Sequence, residues 1–345
     1  MAELARLAYG VLFPVLTDLH LSDPILRFLD GGGKALLFGE TAEEYASGVM
    51  SASRVEQESA EMWSRTTRAV TDRTGAALMA LDEDISAVHR LHRLTPPLPD
   101  LVQAQAMATA EFEEAIGAVA IAASQLGVNL LLSPTADVVA GPNLWLAGRT
   151  LGDDIATVSR LVASYVRGAQ RAGIATALKH FPGHPVITGI PAVEEAVVPG
   201  TLDSLRPYLA PFQAGIAAGA RAVMMGPAIF EAVTPPVAGS ISPDLIGLLR
   251  SELGFKGLVI TCDLDHRATM RDRGLDEIVI QALQAGADLL LISPRSVPAI
   301  PDLVSAVMAA VERGNLSFER LSSAAEQVST LARDVLKPRS AVQNS

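Results

Sequence analysis

The chain has 345 residues, of which 49% are hydrophobic and 19% are charged. This composition indicates a globular protein with a sizeable core, built as one large α/β barrel or as two ordinary domains. The formal net charge is −11 without a basic stripe, which argues against nucleic acid and anionic membrane surfaces as partners.

The cysteine count and the amino-terminal sequence indicate which cellular compartment to expect. Cys262 is the single cysteine, so no intrachain disulfide can form. The amino-terminal segment carries acidic residues early and lacks a small-residue cleavage site, so we predict no signal peptide. No stretch reaches the roughly 18 consecutive apolar residues that a membrane helix needs. We therefore expect a cytoplasmic protein.

Short apolar runs recur along the chain, each followed by a longer helical pattern. The runs are Gly10–Leu16, Ala35–Gly39, Ala76–Asp82, Asn129–Pro134, Ala175–Phe181, Ala222–Gly226, Gly257–Asp263 and Asp288–Ser293. They are continuously apolar, which is typical of strands buried on both faces. Eight such strands alternating with helices predict an α/β fold, a single-domain (β/α)8 TIM barrel. A doubly wound open sheet is the alternative, but no glycine-rich fingerprint follows the first strand.

Amphipathic helices separate the predicted strands. They include Asp154–Arg171, Leu202–Ala218 and Pro243–Leu253. Ser242 is placed to cap the last of these, with Pro243 at the first helical position and Gly254 as the stop. We expect the barrel to span residues 1–336 and residues 337–345 to form a disordered tail.

Polar residues collect at the predicted strand ends, where the functional residues of such barrels lie. They are Asp82, Asp137, Arg149, Lys179, His180 and Asp263. A ring of charged donors and acceptors suits a neutral polyhydroxyl ligand, since each charge-assisted hydrogen bond contributes about 1.5–3 kcal/mol. The same residues would also suit a salt-bridge network that closes the barrel mouth, and the pattern leaves both interpretations open.

The segment Lys179–Pro185, KHFPGHP, resembles glycoside hydrolase family 3, specifically its single-domain bacterial β-N-acetylhexosaminidase branch. Enzymes of that branch carry Lys-His-Phe-Pro-Gly-His-Gly at strand 5. Further similar stretches follow the family order: LDEDISAVHRL, LSPTADV, LAGRTLGDD and LRSELGFKGLVITCDL. The resemblance covers nearly the whole barrel. It implies that Asp82, Arg149, Lys179 and His180 hold the sugar, with Asp82 and Lys179 binding ring hydroxyls at the closed end of the pocket.

The catalytic positions depart from the family pattern. The resemblance implies a retaining mechanism, with an Asp nucleophile at the end of strand 7 and a His acid/base in the loop after strand 5. Cys262 stands at the nucleophile position, and Asp263 falls on a second, non-nucleophilic Asp. Ala192 replaces the acid/base His, and Ile190 replaces its Asp partner. Neither can transfer a proton, and general acid–base help contributes roughly 10²–10⁴-fold.

Several residues are candidate replacements for this machinery. A one-residue shift of strand 7 would bring Asp263 into the pocket, although it would turn every neighbouring side chain to the opposite face. The candidate alternative acids are His184, Glu194, Glu195 and His266. The acids in AVEEAVV are also typical of a solvated surface, and Cys262 is either a reactive thiol or a small buried hydrophobe.

Three hypotheses about function follow. The first is a glycosidase-like protein that recognises an N-acetylhexosamine-type or related glycoside with impaired or altered chemistry. The second is a non-catalytic sugar-binding or regulatory barrel. The third is a barrel recruited to different chemistry on a small metabolite through Cys262 or Asp263. The histidines and the cysteine show no metal-ligand spacing, so we predict no metal and no cofactor.

Overall fold

Eight parallel strands form a barrel in the computed structural model, which describes residues 1–86 and 88–337. The described residues contain eleven strands, of which all but β6, β8 and β9 belong to the barrel. They are β1 Leu12–Leu16, β2 Ala35–Phe38, β3 Leu78–Leu81, β4 Leu130–Leu131, β5 Ala175–Phe181, β6 Val197–Val198, β7 Ala222–Met225, β8 Ile229–Phe230, β9 Val237–Ala238, β10 Leu258–Ile260 and β11 Leu290–Ile292. The barrel order is β10-β7-β5-β4-β3-β2-β1-β11. A parallel bridge from Ile260 to Leu289 joins β10 to β11. The predicted (β/α)8 barrel is confirmed, and each predicted run contains one barrel strand.

A small second sheet was not predicted. Its strands β6, β8 and β9 have two residues each, and they lie in the connections that follow β5 and β7. β6 pairs with β8 in parallel, and β8 pairs with β9 in antiparallel orientation. Two residues are too few to show a period of two, so no alternation could reveal these strands.

Fifteen α-helices surround the barrel in the described part of the chain. They are α1 Ala2–Gly10, α2 Asp23–Gly31, α3 Ala42–Ser47, α4 Ala52–Gln57, α5 Ala60–Thr74, α6 Leu101–Ala106, α7 Thr109–Gln125, α8 Ile155–Arg171, α9 Leu202–Leu205, α10 Ala210–Ala217, α11 Pro243–Ser251, α12 Arg267–Met270, α13 Leu275–Ala285, α14 Ile300–Glu312 and α15 Phe318–Asp334. The prediction of one continuous helix over Leu202–Ala218 was wrong. A 3₁₀ segment at Arg206–Leu209 separates α9 from α10. Pro207 and Pro211 lack the backbone N–H that a continuous helix needs.

The core has two layers on either side of the barrel wall. Alternate strand residues such as Phe13, Leu37 and Ala80 fill the barrel interior. The residues between them, such as Leu12 and Leu36, pack outward against the helices. This division follows from the strand period of two and explains why each strand is apolar on both faces.

The described residues include no helix with both the length and the apolarity that crossing a bilayer requires. The predicted tail lies mostly outside the described residues, which end at Lys337.

Candidate functional site

A cavity of about 890 Å³ opens at the carboxyl ends of the barrel strands. Asp82 after β3, Lys179 and His180 in β5, and Arg149 in the loop after β4 all line it. Parallel strands bring their carboxyl ends to one face of a barrel, so residues distant in sequence meet there. The structure therefore places the four predicted sugar-binding residues in one cavity.

Asp82 and Lys179 form a salt bridge on the cavity wall, in which Lys179 Nζ donates to Asp82 Oδ1. The side chains are 15% and 8% exposed, respectively. Burial lowers the pKa of Lys179, but the carboxylates of Asp82 and Asp84 oppose it, and the net pKa is raised. Lys179 therefore remains an ammonium group and offers charged donors to the cavity. The two residues are therefore paired with each other, as a salt-bridge network requires, and also line a cavity.

His180 is held by a buried carboxylate. Its Nδ1 lies 2.8 Å from Asp137 Oδ2, and Nδ1 of His184 lies 2.8 Å from Asp137 Oδ1. Burial lowers the pKa of His180 to about 4, although Asp137 opposes the shift. Trp145 packs on the two rings at centroid distances of 4.6 Å and 5.0 Å. His180 therefore reaches the cavity as a neutral, oriented imidazole.

Arg149 lies beside two aromatic residues at the mouth of the cavity. Its guanidinium carbon lies 4.4 Å from the centroid of the Tyr45 ring, and Nη1 donates to the Trp145 carbonyl at 3.3 Å. Stacking on the ring restricts the side chain without using all its N–H donors. The remaining donors are available to a ligand.

The loop after β5 contributes hydrocarbon to the cavity. Ile190, Ala192 and Val193 line it. The loop is held against the segment around α12, where Ala268 N donates to the Pro191 carbonyl at 3.0 Å. The wall that carries these residues therefore offers contact surface but no side chain that can transfer a proton.

Cys262 and Asp263, which follow β10, both line the cavity. Cys262 is 6% exposed, and burial raises the pKa of its thiol well above the ordinary value. Burial also raises the pKa of Asp263. Within a strand, neighbouring side chains point to opposite faces, so only one of two adjacent residues would face the cavity. β10 ends before these two residues and a turn follows at Leu264, so both side chains can line the cavity.

The proposed replacement acids occupy different places. His184 is fully buried on Asp137 and does not line the cavity, so it is not positioned as a proton donor there. Glu194 accepts from the Ile190 backbone N–H at 2.8 Å, and Glu195 pairs with Arg271 at 3.2 Å on the surface. Both acids are exposed, as the alternative interpretation of AVEEAVV expected. His266 lines the cavity.

Glu40 was missed by the sequence reasoning. It follows β2 and lines the cavity, and its Oε1 is buried without a hydrogen-bond partner among the described residues. Burial and the neighbouring Asp82 raise its pKa to about 8. The sequence did carry a signal for Glu40, because this acid directly follows the apolar run of strand 2. A polar residue at the end of an apolar run is the pattern that identified Asp82.

This barrel, with charged residues in a cavity at the carboxyl ends of its strands, has the architecture of an enzyme-type (β/α)8 domain. Residues 37–331 match the model of the glycosyl hydrolase family 3 N terminal domain. The chain belongs to glycoside hydrolase family 3.

Named relatives agree with this assignment. The chain is 35% identical over 254 residues to a beta-hexosaminidase of Stenotrophomonas maltophilia, covering 71% of this chain and 73% of that protein. It is 32% identical over 267 residues to a beta-hexosaminidase of Xylella fastidiosa, covering 75% and 76%. These similarities place the chain beside the hexosaminidases of the family.

Solved structures show the same fold. A family 3 beta-N-acetylglucosaminidase from Paenibacillus sp. superposes with a TM-score of 0.85 at 26% identity, covering 99% of this chain. This chain spans 64% of that longer protein. LpqI of M. tuberculosis superposes with a TM-score of 0.80 at 22% identity, covering 95% of this chain and 93% of its own.

Proposed function

We propose that the barrel-mouth cavity recognises an N-acetylhexosamine-type or related glycoside and that the protein has impaired or altered glycosidase chemistry. The observation that carries this proposal is the contrast between two walls of the cavity. One wall presents Asp82, Lys179, His180 and Arg149, whereas the loop wall presents hydrocarbon.

The polar wall supports recognition of a sugar. Asp82 accepts hydrogen bonds, and Lys179 and Arg149 donate them, so adjacent hydroxyls can each find a charged partner. The cavity of about 890 Å³ has room for a ligand larger than one sugar ring. The hexosaminidase relatives support the class of ligand.

The other wall supports altered chemistry. By the resemblance to the family pattern, Cys262 stands at the nucleophile position and Ala192 at the acid/base position. Both residues line the cavity. A neutral, buried thiol is a poor substitute for a carboxylate that must stabilise an oxocarbenium-like transition state. Protonation of the leaving oxygen would also lack its usual group.

A second candidate function rests on Asp263. Its carboxyl group lines the same cavity beside Cys262, and His266 lies nearby with Nε2 at 3.5 Å from Asp263 Oδ2. Asp263 as nucleophile with His266 as proton donor would give a glycosidase with substituted machinery. This function predicts turnover that Asp263→Asn abolishes.

Binding is tested by isothermal titration calorimetry with N-acetylglucosamine, N-acetylgalactosamine and glucose. We expect an N-acetylhexosamine to bind, and Arg149→Met to weaken binding by roughly tenfold or more, as loss of a charge-assisted hydrogen bond implies. Lys179→Met should act in the same direction, and the exposed Lys256→Met serves as the matched control. Binding that neither cavity variant changes would contradict the proposed site.

Chemistry is tested with an aryl N-acetyl-β-glucosaminide. We expect little or no release of the aryl alcohol by the unmodified protein. Substantial turnover that Asp263→Asn abolishes and Cys262→Ala preserves would establish the second candidate instead. Turnover lost in Cys262→Ala would show that the thiol takes part in the reaction.

A further inference from the structure

We propose that Cys262, Asp263 and His266 form a binding site for a divalent cation of the zinc type on the wall of the cavity. The three side chains each present one ligand atom, and these atoms all lie within 4.8 Å of one another. His266 Nε2 is 3.5 Å from Asp263 Oδ2. The sequence spacing gave no sign of this group, because two of the ligands are adjacent residues beyond the end of a strand.

The distances suit a small ion. Zinc bonds of about 2.3 Å to sulfur and about 2.0–2.2 Å to nitrogen and oxygen place tetrahedral ligand atoms roughly 3.3–3.7 Å apart. The separation between Asp263 and His266 already falls in this range. The remaining separations need to close by about 1 Å at most, which small side-chain rotations can supply.

The donor set selects among metals. A thiolate, an imidazole and a carboxylate together suit Zn²⁺, whereas Mg²⁺ and Ca²⁺ prefer oxygen ligands throughout. Three protein ligands leave a fourth position, and all three residues line the cavity. The open position would therefore face the cavity, where water or a ligand oxygen could occupy it.

The ligand atoms are engaged by few other groups in the described part of the chain, where the Asp263 backbone N–H approaches the thiol and the carboxylate. Apart from the approach of His266 to Asp263, no other side chain there hydrogen bonds to the thiol, the carboxylate or the ring. His266 Nδ1 is buried and has no hydrogen-bond partner among those residues. A cation bound at Nε2 would not contact Nδ1, which would keep the proton of the neutral, ligating imidazole.

Two cations that line the same cavity are already paired with other carboxylates. Lys179 is paired with Asp82, and Arg295 is paired with Asp265 at 2.8 Å. A divalent ion bound by one thiolate and one carboxylate would have no net charge within its ligand shell. On binding, the Cys262 thiol would lose its proton to solvent, and its sulfur would form the bond to the metal.

The proposal is independent of sugar recognition, since the ion is bound by protein atoms alone. Its test uses the purified full chain, stripped with a chelator and titrated with Co²⁺ as a spectroscopic probe. We expect a thiolate-to-cobalt charge-transfer band in the near ultraviolet that grows to one equivalent, and displacement of that band by Zn²⁺. Zn²⁺ binding is measured separately by calorimetry.

Three variants identify the ligands. Cys262→Ser should abolish the charge-transfer band, and Asp263→Asn and His266→Gln should each weaken binding beyond the roughly 10–100-fold that loss of a supporting residue costs. His20→Gln, at an exposed histidine outside the cavity, should change nothing. Circular dichroism confirms that each variant is folded.

Two results would overturn the proposal. One is the absence of a thiolate band in the unmodified protein at excess Co²⁺. The other is Zn²⁺ affinity that His266→Gln and Asp263→Asn both leave unchanged. Neither result would affect the calorimetric test of sugar binding.

Discussion

Glu40 shows how one partly buried acid can carry a pH dependence. Its surroundings at the end of β2 include Asp82, Arg90 and Lys179. Burial contributes most to its raised pKa, Asp82 adds to it, and the two cations oppose it. The pKa of about 8 means that folded Glu40 holds a proton over a range in which an unfolded glutamate has lost it.

The sign of the stability effect follows from this difference. Between pH 4.5 and about 8 the unfolded chain binds fewer protons at Glu40 than the folded chain, so the free energy of unfolding falls as pH rises. Above about pH 8 the contribution is constant. We predict that Glu40→Gln flattens this decline, measured by urea denaturation from pH 5 to 9. The exposed Glu43→Gln serves as control, and parallel curves for Glu40→Gln and the unmodified protein would contradict the prediction.

The residues of the cavity differ in how well their positions can be predicted from the sequence. Asp82 and Lys179 could be placed because each ends a long apolar run, and chain topology then brings strand ends together. The environment of each residue could not be predicted in the same way. His184 belongs to the KHFPGH segment, but its burial against Asp137 depends on a side chain 47 residues away. Its exclusion from the cavity is therefore a tertiary property.

At the scale of elements, α11 shows how local signals fix a helix. Ser242 Oγ accepts from Leu245 N at 3.3 Å, and Pro243 begins the helix, as predicted. The helix ends at Ser251, and Gly254 adopts a φ of +65° shortly after it. The ends of this helix can be predicted from the sequence because the cap, the proline and the glycine each satisfy a local backbone requirement. Strand ends depend on neighbouring strands, which explains why β4 has two residues where six were predicted.

Loss of this cap should destabilise the barrel by a modest amount. Ser242 is buried, so its replacement leaves the Leu245 N–H without a nearby acceptor. We predict that Ser242→Ala lowers the free energy of unfolding by about 0.5–2 kcal/mol. Urea denaturation measures the change, and Ser242→Thr should retain most of the stability. Equal losses in both variants would indicate that packing, rather than the cap, is affected.

At the scale of the molecule, the last helix, α15, packs into the core of the barrel. Val328, Leu331 and Ala332 of α15 belong to the cluster that fills the barrel interior. Residues of β3 such as Leu78 are in the same cluster. Periodicity can predict an amphipathic helix, but it does not tell which layer of the core the apolar face covers. The carboxyl-terminal helix therefore contributes to the same core as the strands while the cavity lies at their carboxyl ends.

This arrangement separates stability from ligand binding. Leu331 is 4% exposed, and truncation to alanine leaves a cavity in the shared core. We predict that Leu331→Ala lowers the free energy of unfolding by about 2–5 kcal/mol, in one cooperative transition, because the barrel and α15 share that core. Affinity for an N-acetylhexosamine and for Co²⁺ should remain unchanged under conditions in which the variant is folded. Ser323→Ala, at an exposed position of the same helix, should leave the denaturation midpoint within error. A separate early transition in Leu331→Ala would show instead that α15 unfolds independently of the barrel.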